Sequence, residues 1–206
     1  MSSADARVEV VAGRANSWIV GDDEEVIVVD PATDAAPVLA AVGGRAILAV
    51  ICTHGHAAHA AAALEVAESD GAPVALHPLD RANWREVHSA DPDIAMEDGG
   101  QFEVAGVTLE VVHAPGHSRG SVLLYCDELD AAFTGDVVTG EGPVPHSGDF
   151  PAWGRQLDAI GAHVLTLPLT ARLLPGHGEE LTVSDADKRF NSWYSAGPEP
   201  AGAEES

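Results

Sequence analysis

Thr53-His54-Gly55-His56-Ala57-Ala58-His59 places three imidazoles within six residues, directly behind the apolar run Ala46-Ile47-Leu48-Ala49-Val50-Ile51-Cys52. The run reads as a buried strand, so the histidines leave its end together. Imidazole is the commonest protein ligand for zinc and suits iron as well. His54 and His56, one residue apart on a chain leaving a strand, can converge on one ion. His59 opens an Ala-rich stretch, read as a helix from Ala57 to about Ser69, and can face a second ion nearby.

Working outward from this stretch, three further strands end in candidate ligands. Val107–Val112 leads to His117, Ala131–Thr134 to Asp136, and Ala171–Leu174 to His177. Donors at the same end of successive strands meet along one sheet edge, which predicts a metal site built from distant segments. Gly55, Gly116 and Gly176 each precede a histidine, and glycine is expected there to permit the tight turn each donor needs. His146, in the Gly- and Pro-rich loop Val137–Gly148, is read as a loop residue.

The rest of the chain supplies a frame. Arg7–Val11, Asn16–Val20 and Glu25–Val29 should pair as an antiparallel meander. Asp34 can cap a helix that Gly43-Gly44 stops near Val42. Pro73–His77 reads as a strand, Leu79 to about His88 as a short helix with Trp84 on its apolar side, and Ser89–Gly100 as a loop. Gln101–Ala105 and Val107–Val112 alternate as a hairpin, and Ser121–Cys126 is one more strand. Helices are expected from a cap at Asp149 to about His163, and from Ser184 to Tyr194 with Phe190 and Trp193 against the body.

The chain has 206 residues, enough for one substantial core, and is read as a single domain over residues 1–195 with a flexible tail over 196–206. Its 33 acids against 10 Lys and Arg leave a net charge of −23, a surface that repels nucleic-acid phosphates and anionic lipid. Nucleic acid and membrane are therefore not expected as partners. A small-molecule substrate is. No apolar run approaches the length of a bilayer span, and the first residues lack a basic flank followed by an apolar stretch, so a cytoplasmic location is expected. Cys52 and Cys126 read as small buried apolar residues. Apolar helix faces leave a homodimer open.

Taken together, these motifs resemble the metallo-β-lactamase superfamily in its short, glyoxalase II-like form. The family pattern runs Thr-His-x-His-x-Asp-His, Pro-Gly-His-Ser/Thr, Thr-Gly-Asp and Gly-His. It matches Thr53–His59, Pro115–Ser118, Thr134–Asp136 and Gly176-His177. The resemblance implies an α+β fold, a four-layer αββα sandwich of two mixed β-sheets flanked by helices. It also implies a ligand set: His54, His56 and His117 for a first metal, His59 and His177 for a second, and Asp136 bridging both, with Asp136 and His59 as the catalytic residues. One or two zinc ions are expected, with iron as the alternative.

One position departs from the pattern. Ala58 stands where the family has Asp, and its methyl group can neither bind a cation nor accept a proton. The second site should then bind metal weakly, whether Ala58 is natural or an introduced inactivating change. The chemistry implied is metal-assisted hydrolysis of a small thioester or ester, with no serine or cysteine nucleophile. Glyoxalase II carries a C-terminal helical extension for its thiol cofactor, whereas 29 residues follow His177 here, so a thiol group would be bound differently. A mononuclear iron sulfur dioxygenase is the second expectation, because it tolerates a poor second site. A low-activity binding or scaffold member is the third.

Overall fold

The computed structural model describes residues 6–144 and 150–197. Strands β1 (Arg7–Val11), β2 (Ser17–Gly21) and β3 (Glu25–Val29) form the expected antiparallel meander. Helix α1 (Ala35–Val42) begins where Asp34 accepts from the backbone N–H of Ala36, and it ends at Gly43 in the left-handed conformation, φ 67°. The chain then crosses to β4 (Ala46–Ile51), which lies parallel to β3.

The Ala-rich stretch after β4 is not one helix. It forms α2 (Ala57–Ala60) and α3 (Ala63–Glu68), with a break at Ala61-Ala62. The backbone N–H of Ala62 bonds to Ala32 O and that of Ala32 to His59 O, so tertiary bonds to the loop after β3 displace helical continuity there. Next come β5 (Val74–Leu76), a 3₁₀ turn at Pro78–Asp80, and α4 (Arg81–Trp84), on which Trp84 is fully buried. The segment read as a loop contains a short strand, β6 (Ile94–Ala95), paired with β5. Two residues are too few to show the alternation that marks a strand.

Strands β7 (Gln101–Val104), β8 (Val107–His113), β9 (Val122–Cys126), β10 (Ala131–Gly135), β11 (Arg172–Pro175) and β12 (Leu181–Thr182) build the second sheet. Helix α5 (Phe150–Ala159) runs into a π-helical turn at Ile160–Val164, and α6 (Val183–Ala196) starts at a capping box between Thr182 and Asp185. The expected cap at Asp149, the loop histidine His146 and the tail beyond Gly197 lie outside the described residues.

The sheets have the orders β1-β2-β3-β4-β5-β6 and β12-β11-β10-β9-β8-β7. Both are mixed: β3 to β6 run parallel in the first, as do β10 and β11 in the second. Three apolar clusters separate four layers. Trp18, Ile27, Ile51, Leu109, Leu124 and Phe133 fill the space between the sheets. Val38, Val50, Val66 and Trp84 join the first sheet to its helices, and Leu123, Leu173, Ile160 and Trp193 join the second sheet to α5 and α6. This is the αββα sandwich. Cys52 and Cys126 are buried and unpaired, as expected. No helix among the described residues is long and apolar enough to cross a membrane.

Candidate metal centre

The ends of β4, β8, β10 and β11 meet on one edge of the sandwich, because β8, β10 and β11 point the same way in their sheet. The loops that follow bring all six sequence-predicted residues together. Ligand atoms of His54, His56 and His117 lie within 4.8 Å of one another, and so do those of His59, Asp136 and His177. Asp136 touches both groups. Its Oδ2 is 3.2 Å from His59 Nε2, 3.5 Å from His117 Nε2 and 3.9 Å from His54 Nε2, while its Oδ1 is 2.7 Å from His177 Nδ1.

The first group consists of oriented imidazoles. His117 Nδ1 lies 2.7 Å from Val144 O, which leaves Nε2 turned inward, 3.0 Å from His56 Nδ1. His54 Nδ1 lies 3.2 Å from Thr53 Oγ1, and its Nε2 is buried without a hydrogen-bond partner. Burial first, then the electrostatic influence of the neighbouring imidazoles of His59 and His117, hold His54 well below the usual histidine range, which favours its neutral form. A buried nitrogen with an unused lone pair, facing two further imidazoles and a carboxylate, is a donor set that fits a borderline cation such as zinc or iron.

The second group compensates itself. His59 lies between two carboxylates, with Nδ1 3.2 Å from Asp30 Oδ2 and Nε2 3.2 Å from Asp136 Oδ2. Burial pushes its pKa down, but Asp136 and Asp30 outweigh it and raise the group to about 10. Burial likewise pushes Asp136 up, and His59 and His177 overcome that to hold it well below the usual carboxylate range. His177 is the open member, with a side chain 39% exposed against 1% for His54. Ala58 sits in α2 and offers no ligand atom.

The glycines before the histidines are required, though not for a special backbone angle. None of Gly55, Gly116 and Gly176 adopts positive φ. What they supply is space. A Cβ on Gly176 would stand 2.4 Å from His59 Cε1, one on Gly116 2.3 Å from Gln156 Cα, and one on Gly55 2.6 Å from Asp80 O. Gly135, before Asp136, does need φ +48°, and it abuts Thr53 Oγ1 as well.

Three supporting residues escaped the sequence reading. Asp30, buried at φ +51°, accepts from Thr53 N and Thr53 Oγ1, both at 2.7 Å, and braces His59. Asp80, fully buried, accepts from Gly55 N at 2.8 Å, Gly120 N at 2.6 Å and Ser118 Oγ at 2.7 Å, which ties the His54-Gly55-His56 loop to the His117 loop. Gln156 Nε2 donates to Asp136 O and Val137 O, at 3.0 and 2.9 Å. The only signal for Asp30 is its place directly after the strand Glu25–Val29. Asp80 and Gln156 looked like ordinary helix polars.

With this geometry in view, comparison with known proteins is decisive. The family model described as the metallo-beta-lactamase superfamily matches residues 10–178. The chain belongs to the metallo-β-lactamase superfamily. It is 29% identical to a probable metallo-hydrolase, YqgX, of Bacillus subtilis, over 91% of this chain and 97% of that protein. It is 32% identical to a hydroxyacylglutathione hydrolase of Anaeromyxobacter dehalogenans, over 78% of this chain and 60% of that longer protein. Two solved structures share the fold. The B3 metallo-beta-lactamase BLEG-1 matches with TM-score 0.76 at 24% identity, covering 91% of this chain and 99% of that one. The di-iron-bound form of TTHA1623 matches with TM-score 0.70 at 24% identity, covering 88% and 97%.

Proposed function

We propose that this superfamily member is a metal-dependent hydrolase of a small thioester or ester. The observation that carries the reading is the convergence of His54, His56 and His117, with the buried His54 Nε2 lacking any hydrogen bond. These three would hold one ion, and His59, His177 and Asp136 a weaker second. A zinc ion held by these residues would supply an activated water and a Lewis acid for the substrate carbonyl. Water adds to the carbonyl carbon, the C–S or C–O bond breaks, and the departing thiol or alcohol takes up a proton. The relatives' names, a metallo-hydrolase and a hydroxyacylglutathione hydrolase, agree in reaction class.

The chain's own residues favour water over a protein nucleophile. Ser118 Oγ donates to the buried carboxylate of Asp80 and lies against Ser121 Oγ at 2.7 Å, and no imidazole among the described residues hydrogen-bonds to it. Cys52 is fully buried, and burial pushes its thiol well above the usual range. Asp136, kept ionised by His59 and His177, would orient the attacking water as an acceptor.

Ala58 supports a second reading, a mononuclear iron sulfur dioxygenase, because it removes a ligand from the second group alone. Metal analysis of protein purified without added metal, followed by a panel of thioesters, esters and a persulfide, separates the two. Zinc with thioester or ester turnover supports the hydrolase. Iron with oxygen-dependent persulfide consumption supports the dioxygenase and overturns it.

A further inference from the structure

Beside the histidine cluster lies a groove of about 580 Å³ that His56 and His117 share with Arg119, Arg155, Asn83 and His113. Its charge is out of character with the chain. The protein carries 33 acids and 10 Lys and Arg, yet no Asp or Glu is among the described residues that line this groove. Of the other eight cations, Arg7, Arg45, Arg85, Arg172 and Lys188 pair with an acid, Arg189 donates to backbone carbonyls, and Arg14 and Arg81 pair with no acid among the described residues but do not line this groove. Arg119 and Arg155 pair with none among the described residues, and both are exposed. The cavity on the other side of the cluster, by contrast, is lined by Asp136 and Glu141.

Both arginines stand on backbone that is fixed to the cluster. Arg119 lies two residues after His117. Its carbonyl accepts from His113 Nε2 at 3.0 Å, and the next N–H, Gly120, donates to the buried Asp80 at 2.6 Å. Arg155 precedes Gln156, whose side chain holds the carbonyls of Asp136 and Val137 and whose Cα closes on Gly116. Guanidinium groups bind carboxylate and phosphate through paired N–H donors, and unpaired cations in an otherwise acidic surface concentrate anions locally.

We propose that Arg119 and Arg155 form an anion-recognition subsite, and that the molecule acted on at the histidine cluster carries a carboxylate or phosphate in this groove. The inference rests on the hydrolase reading only in calling that molecule a substrate. Three probes test it with the zinc-loaded protein: the butyryl thioester of N-acetylcysteamine, which is neutral; its succinyl thioester, charged on the acyl side; and the butyryl thioester of 3-mercaptopropionate, charged on the thiol side. Wild type should favour one charged probe over the neutral one. In Arg119→Gln and Arg155→Gln the ratio of kcat/KM for that probe over the neutral one should fall about fivefold each, as for an exposed ion pair. A general loss of fold or metal lowers all probes alike, and an unchanged ratio overturns the subsite.

If no probe turns over, the hydrolase reading fails while the subsite is still decided by binding. Glutarate, inorganic phosphate and neutral glutaramide are titrated into the metal-free protein, where no ion can capture the anion. Binding of glutarate or phosphate, with no binding of glutaramide and a loss in the double variant, supports the subsite and tells which anion it prefers. Equal behaviour of wild type and variant contradicts it.

Discussion

The two halves of the histidine cluster are supported differently: one lies among neutral partners, the other between two carboxylates. His54 and His117 are oriented by hydrogen bonds that point away from the centre, to Thr53 and to Val144 O, and the Asp80 ties brace their loops; His54 Nε2 is left without a partner, and His117 Nε2 faces His56 Nδ1 at 3.0 Å. His59, His177 and Asp136 are held by hydrogen bonds to one another, and His59 also by Asp30. The first half is an arrangement waiting for a cation. The second has its own, the proton on His59, which Asp136 and Asp30 hold by raising the group to about 10. On the proposed reading, preorganisation and internal satisfaction compete, and Ala58 would weaken the half that already has less to gain from metal.

The largest expected effect breaks the first half. His54→Ala should lower affinity for the first zinc by more than about 100-fold, beyond what loss of a supporting group does, whereas His177→Ala should leave it within severalfold; competition with a chelating dye reads both. Next is the support itself. Asp80→Asn keeps the shape but weakens the ties to Gly55, Gly120 and Ser118, and should cost the first ion about tenfold. Circular dichroism separates this from unfolding. An unchanged affinity would show that the two histidine loops hold themselves.

The smallest change sharpens the second half. Ala58→Asp restores a carboxylate beside His59 and should raise the second ion's affinity severalfold, with a matching gain in turnover. The gain is limited because the new acid also strengthens the hold of His59 on its proton. Metal content per chain and steady-state rate check it together, and no gain in either removes Ala58 from the account of the weaker half.

Much of this was legible in the sequence because its signals are local. The run Ala46–Cys52 followed by three histidines, and the repeated placing of a donor after a short apolar strand, gave the sheet edge and all six clustered residues. Asp34 with Gly43-Gly44 bounded α1 to the residue. What stayed hidden depends on distant partners. The break between α2 and α3 arises from bonds to Ala32, and an Ala-rich stretch carries no mark of them. Asp30 and Asp80 become supports only when their carboxylates meet Thr53, Gly55 and Ser118 across the fold. The glycines were located correctly but for a different reason, space against His59, Gln156 and Asp80 rather than a turn.

The comparison of halves is tested most directly by titrating zinc into metal-free protein at pH 7, 8 and 9. His59 must release its proton before the second ion can use it. Asp136 and Asp30 raise its pKa to about 10, above this whole range, so the second affinity should rise with each step in pH. His54 already favours its neutral form and adds no such dependence to the first ion, whose affinity should change far less. Two ions with the same pH dependence, or a second affinity that does not rise with pH, would contradict the account.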